Sequence, residues 1–174
     1  MSREDRTVRE GLLLGGFAYA AVAVFYAAFD FLAARGPLFT VDLLGKALFR
    51  GLRDPAVLQL PARIDMVATF FYNALHLGVS LAIGLVIAYL LTRAERSPGS
   101  ARMSLAVIVA GFFITVALVG VLTASFRPLL PWWSIVGANA AAVCVAGGVL
   151  IWRRPKVLTV ILGRAGQGEA RPTG

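Results

Sequence analysis

The chain has 174 residues, 59% of them hydrophobic and 15% charged, with a mean hydropathy of +0.79. So apolar a composition cannot clothe a soluble domain of this size, which excludes an ordinary water-soluble enzyme or binding module and points to the membrane class. The net charge of +8 and the pI near 10.8 would indicate nucleic acid in a soluble protein, so the placement of the basic residues decides what they mean.

A bilayer's hydrocarbon core, about 30 Å thick, takes about 20 apolar residues in a helix. Four stretches meet that length: 12–34, 66–91, 104–126 and 132–152. None alternates with the period of two that a barrel strand requires. The expected architecture is all-α, one domain over 1–162 built as a bundle of four transmembrane helices, with a short amphipathic interfacial helix between the first two.

The first stretch follows Arg3, Arg6 and Arg9. It is too long for the apolar region of a signal peptide and lacks a small-x-small cleavage pattern, so it reads as a retained anchor. Gly15, Tyr19, Ala23, Tyr26 and Asp30 recur at helical spacing, and Asp30, its one charge, lies near the end of the span.

Residues 35–63 form the longest polar connection. Thr40 can act as an N-cap, and an interfacial helix is expected at about 41–52. Leu43, Leu44, Ala47 and Leu48 recur on one face and Asp42, Lys46, Arg50 and Arg53 on the other, as in a helix lying flat at a membrane surface. Asp42 and Lys46 are an i, i+4 pair of favourable orientation. Pro55 and Pro61 end the helix and give an extended return.

The second stretch carries Thr69, Asn73, His76, Ser80, Gly84 and Ala88 along one helical face, with His76 the only histidine in the chain. "FDFLAARGP", "RGPLFTVDLLGKALFRG" and "LHLGVSLAIG" together resemble an uncharacterised family of small bacterial four-helix integral membrane proteins. In that family a "GRPLFTPxLLGxALF" segment joins the first two helices, and a histidine sits in the second. This chain reads Arg35, Gly36, Pro37 in place of Gly, Arg, Pro, and Val41, Asp42 where the family has a proline after the threonine. The resemblance covers roughly the first half of the chain and implies four helices and a bacterial membrane, with no activity to carry over.

The third stretch carries Gly111 and Thr115, and the fourth Asn139, Ala142 and Ala146, all suited to close helix approach. Trp132 and Trp133 at one end of the fourth and Trp152 at the other match interfacial aromatic belts. Cys144, the single cysteine, excludes an intramolecular disulfide and paired-thiol redox chemistry. Residues 163–174, rich in glycine and polar groups, are expected to be disordered.

Of the 17 basic residues, eleven precede the first span, lie between the second and third, or follow the fourth; Arg35, Lys46, Arg50, Arg53, Arg63 and Arg127 face the other side. The positive-inside rule then puts both termini in the cytoplasm, here of a bacterial inner membrane, and assigns the basic balance to topology rather than to nucleic acid.

Polar side chains turn away from lipid. Counted inward at about 1.5 Å per residue, His76 and Thr115 lie about 18 Å deep and Tyr26, Asn73 and Asn139 about 12 to 14 Å, so the five can form one intramembrane cluster. Asp30, about 6 Å deep by the same count, falls at the outer interface within reach of Lys46 or Arg35. A buried neutral imidazole can be satisfied by tyrosine, asparagine or threonine without reacting. A bis-histidine haem and a zinc site both need ligands this chain does not supply alone. No catalytic residue, cofactor or metal is therefore assigned. The expected function is a structural or accessory integral membrane subunit whose partners are the lipid bilayer and either a second copy or a larger membrane complex. A small oligomeric transporter or channel with a polar path at Asn73, His76 and Thr115 is the alternative. A third reading is a membrane enzyme or cofactor carrier using His76 across an oligomer interface.

Overall fold

The computed structural model describes residues 3–52, 54, 56, 63–94 and 98–153. These residues are helical with no strand among them, in five helices: α1 (Arg3–Leu32), α2 (Phe39–Phe49), α3 (Met66–Ala94), α4 (Pro98–Leu122) and α5 (Trp132–Arg153), with a 3₁₀ turn at Ala124–Phe126. Of these, α1, α3 and α5 are long and apolar enough to cross a membrane, and α4 carries a shorter apolar stretch, Ala106–Leu122. Arg53, expected on the charged face of α2, Pro55 and Pro61, given above as breakers, and the tail expected to be disordered lie outside the described residues.

Each helix end has a local cause. α1 stops at Leu32 rather than 34 because Ala34 takes a left-handed φ of 56°. The Arg35 amide then donates to the Asp30 carbonyl at 2.8 Å and the Ala34 amide to Phe31 at 3.1 Å, the paired reverse bonds of a Schellman cap. α2 ends before Gly51, whose φ of 67° costs a glycine nothing. Pro98 opens α4, where its missing N–H is no loss. α4 stops at Leu122 instead of continuing to 126, since Pro128 cannot donate to a helix and the chain tightens first into the 3₁₀ turn, with Phe126 bonded back to Thr123 at 2.9 Å.

α1 packs antiparallel on α3 where side chains vanish. A Cβ on Gly84 would stand 2.3 Å from the Gly11 carbonyl oxygen and 2.5 Å from the Gly15 nitrogen, and one on Gly15 would stand 2.4 Å from the Ser80 carbonyl oxygen. Backbones this close are the small-residue mode of packing between apolar helices. The other side of α1 meets α5, where Phe25 lies over Gly137. α4 leans on α3, the Ser104 hydroxyl donating to the Leu90 carbonyl at 3.0 Å, and its Gly120 receives the Trp132 ring of α5.

At the α2 end, Tyr26, Leu43, Phe126, Leu129, Leu130, Ile135 and Ala138 form a buried apolar core joining α1, α2, the 3₁₀ turn and α5. Each fully buried aliphatic side chain contributes about 1.5–3 kcal/mol relative to exposure to water. Leu43 is α2's anchor in that core, and it brings the polar groups of α2 against the neighbouring helices.

Candidate functional site

The densest polar site lies at the α2 end and is made by three carboxylates, each linking two elements. Asp30, fully buried in the last turn of α1, accepts from the Thr40 amide and from the Thr40 hydroxyl, both at 2.7 Å. The N-cap position of α2 is Leu38, which has no acceptor of its own, so the cap that Thr40 was expected to supply comes from another helix. The cause is spatial: the Schellman turn at Ala34 reverses the chain and lays the start of α2 over Asp30.

Asp42 continues the series. Its Oδ1 accepts from the Asp65 amide at 2.8 Å and the Thr69 hydroxyl at 3.4 Å, while its Oδ2 binds the Lys46 ammonium. Lys46 also donates to the Arg63 carbonyl at 3.1 Å. Asp42, Gly45 and Lys46 are buried, and a Cβ on Gly45 would come within 2.7 Å of the Ala68 carbonyl oxygen. Two expectations are corrected. Asp42 and Lys46 of the expected charged face turn to α3 instead of solvent while Arg50 stays exposed, with Leu48 53% exposed on the opposite side. They do so because the Asp42 carboxylate accepts from donors at the start of α3 and the Lys46 ammonium donates to the carbonyl of Arg63 just before it. The pairing expected between Lys46 and Asp30 is absent, since Asp42 lies one turn from Lys46 and takes its charge. Arg35, the other group expected within reach of Asp30, does act on the Asp30 charge, while its guanidinium donates to the Leu129 carbonyl at 2.9 Å and stacks over Phe39 at 4.8 Å.

Asp65 completes it by capping α3, accepting from the Ala68 amide at 3.0 Å, and by pairing with Arg50 at 2.8 Å. Hydrogen bonding to Arg50, before the charge attraction itself, pulls the Asp65 carboxyl down to about 2 and raises the Arg50 guanidinium above its usual range. Asp65 was not singled out in the sequence, although an aspartate directly before an apolar helical run is a recognisable N-cap signal.

The polar residues expected to cluster take separate hydrogen-bond partners. Tyr19, two turns from Tyr26, donates to the side-chain Oδ1 of Asn73 at 3.0 Å and holds its ring 5.2 Å from that of His76. The ring of Tyr72, one turn back on α3, lies 6.0 Å from the imidazole. Asn73 and His76 therefore share a setting, half-buried between α1 and α3 and walled by two tyrosine rings. Tyr26 instead lies beside Ser134 of α5 within the apolar core. Thr115 and Asn139 return their hydrogen bonds to their own helices, to Gly111 at 2.8 Å and Ile135 at 2.8 Å. A long helix in lipid can satisfy an isolated polar side chain this way, one turn back, without a neighbour.

Among the described residues, no three His, Cys, Asp or Glu side chains are grouped to hold a metal. No family model matches the chain, and none is found among curated proteins or solved structures that is similar to it.

Proposed function

We propose that the chain is a four-helix integral membrane protein of a bacterial inner membrane, with both termini in the cytoplasm and α2 at the outer surface, serving as a structural or accessory subunit. Membership in the uncharacterised bacterial family resembled by the segment around Pro37 to Gly51 is part of the same proposal. The observation that carries it is the use of the carboxylates. Asp30, Asp42 and Asp65 each accept a backbone N–H, and Asp42 and Asp65 are also ion-paired, so their charge is committed to holding α1, α2 and α3 together. Groups engaged in this way support a rigid outer cap and leave no reason to assign them a transported ion. A second copy or a larger membrane complex is the partner this role calls for.

One observation favours the transport reading as a second choice. Among the described residues His76 has ring contacts with Tyr19 and Tyr72 and no hydrogen bond, so the imidazole has capacity that a translocated proton or solute can use. The two readings separate in liposomes. A structural subunit predicts no proton or solute flux that depends on His76, with His76→Gln retaining assembly. Flux through the wild type that is lost in His76→Gln would replace the structural reading with transport.

A further inference from the structure

At the end opposite α2, Arg6, Arg9 and Glu10 of α1 and Arg153 of α5 line a cleft of about 190 Å³. Arg6 is paired with Glu10 at 3.0 Å, and among the described residues Arg9 and Arg153 form no salt bridge. Among the described residues that line it, the cleft sets three guanidiniums, drawn from two different helices, against one carboxylate. Arg9 also lines a second, larger groove of about 510 Å³ that continues along α1 past Val8, Leu12 and Leu13. Val8 and Leu12 are 49% and 43% exposed there. Asp5, at the same groove, has a partner of its own. Trp152, whose ring lies 6.0 Å from the Arg153 guanidinium, is 80% exposed, as an aromatic anchor at a bilayer surface would be.

We infer that this end is a binding site for an anionic glycerophospholipid: Arg9 and Arg153 hold the phosphate in the cleft, and Val8, Leu12 and Leu13 hold the start of an acyl chain. The inference rests on the membrane reading of the chain. A phosphate diester is the group that fits. It is anionic at every physiological pH, it presents the oxygens a guanidinium fork matches, and only a lipid carries apolar chains to fill the adjoining groove. Guanidiniums in a cleft between helices on the cytoplasmic side meet the leaflet that supplies such headgroups.

The test uses the full chain reconstituted in phosphatidylcholine vesicles containing brominated phosphatidylglycerol or brominated phosphatidylcholine. Quenching of Trp152 is read as the part of the fluorescence change lost in Trp152→Phe. Brominated phosphatidylglycerol should be preferred over brominated phosphatidylcholine by at least about fivefold, since one guanidinium near the surface contributes about 1 kcal/mol. The preference should fall to parity in Arg9→Gln/Arg153→Gln, and Arg9→Lys/Arg153→Lys, which keeps the charge, should retain a measurable part of it. Equal quenching by the two lipids in the wild type would overturn the site and leave the membrane reading intact. No quenching by either lipid would overturn the membrane reading itself. Loss of the preference on adding inorganic phosphate would show an anion cleft without a lipid site, and would also overturn the proposal.

Discussion

Asp30 and Thr40, ten residues apart and on different helices, are joined twice: one carboxylate oxygen takes the Thr40 amide and the other its hydroxyl, each at 2.7 Å. Asp30 is completely buried, so nothing but the protein satisfies the Thr40 amide. Asp30→Ala strands that donor and should destabilise the fold by about 1–3 kcal/mol. Asp30→Asn keeps one acceptor and should cost less. Unfolding in a detergent titration orders the three proteins. Equal stability of wild type and Asp30→Ala would mean that α2 is not docked through this carboxylate.

The contact between α1 and α3 gives an internal comparison. Gly84 has no room for a methyl group, its Cβ position lying 2.3 Å from the Gly11 carbonyl oxygen, whereas Gly78, two turns away on the same helix, has nothing within 4 Å. Gly84→Ala should force the backbones apart at a cost of about 1–3 kcal/mol. Gly78→Ala should be neutral or slightly stabilising, as alanine is the better helix former by about 1 kcal/mol. The same titration measures both, and the order of the two variants is the result that matters.

Ala34 adopts the left-handed conformation that a Schellman cap demands and that glycine adopts freely. Ala34→Gly should stabilise the chain by about 1 kcal/mol, with the apparent midpoint of unfolding moving upward. A downward shift would place the strain elsewhere.

The α2 end should also respond to acid. Arg50 holds the Asp65 carboxyl at about 2, below its ordinary value of 3.8. A carboxyl depressed on folding adds stability above its ordinary value and loses that contribution as pH falls through the folded one. The stability difference between wild type and Asp65→Asn should therefore be constant near neutrality and shrink between about pH 4 and pH 2. Arg50→Gln should move that window upward, toward the ordinary carboxyl range. A difference that persists unchanged to the lowest pH would show that Asp65 acts without its charge.

How far the sequence spoke follows from which forces are local. The long apolar runs of α1, α3 and α5 are legible because lipid and length are properties of one segment, and the Asp42–Lys46 pair is legible because a helix turn is. The joint placement of Asn73 and His76 came from the same periodicity. Capping of α2 by Asp30 was illegible, because an acceptor from another helix leaves no trace beside the residues it caps. The tyrosine that bonds to Asn73 is Tyr19 and not the Tyr26 placed in the expected cluster, for a related reason. Counting depth from helix ends assumes that the ends set the register, whereas the register is set where the backbones touch, at Gly11, Gly15 and Gly84. The inward turn of Lys46 was hidden for want of the third partner, the Arg63 carbonyl.

The proposed topology, four membrane crossings with α2 outside, is tested directly by alkaline phosphatase fusions. Fusions after Gly51 and after Pro128 should be active and a fusion after Pro98 inactive. Activity after Pro98 with none after Gly51 would reverse the orientation, and an inactive Pro128 fusion beside an active Gly51 fusion would remove α4 from the membrane.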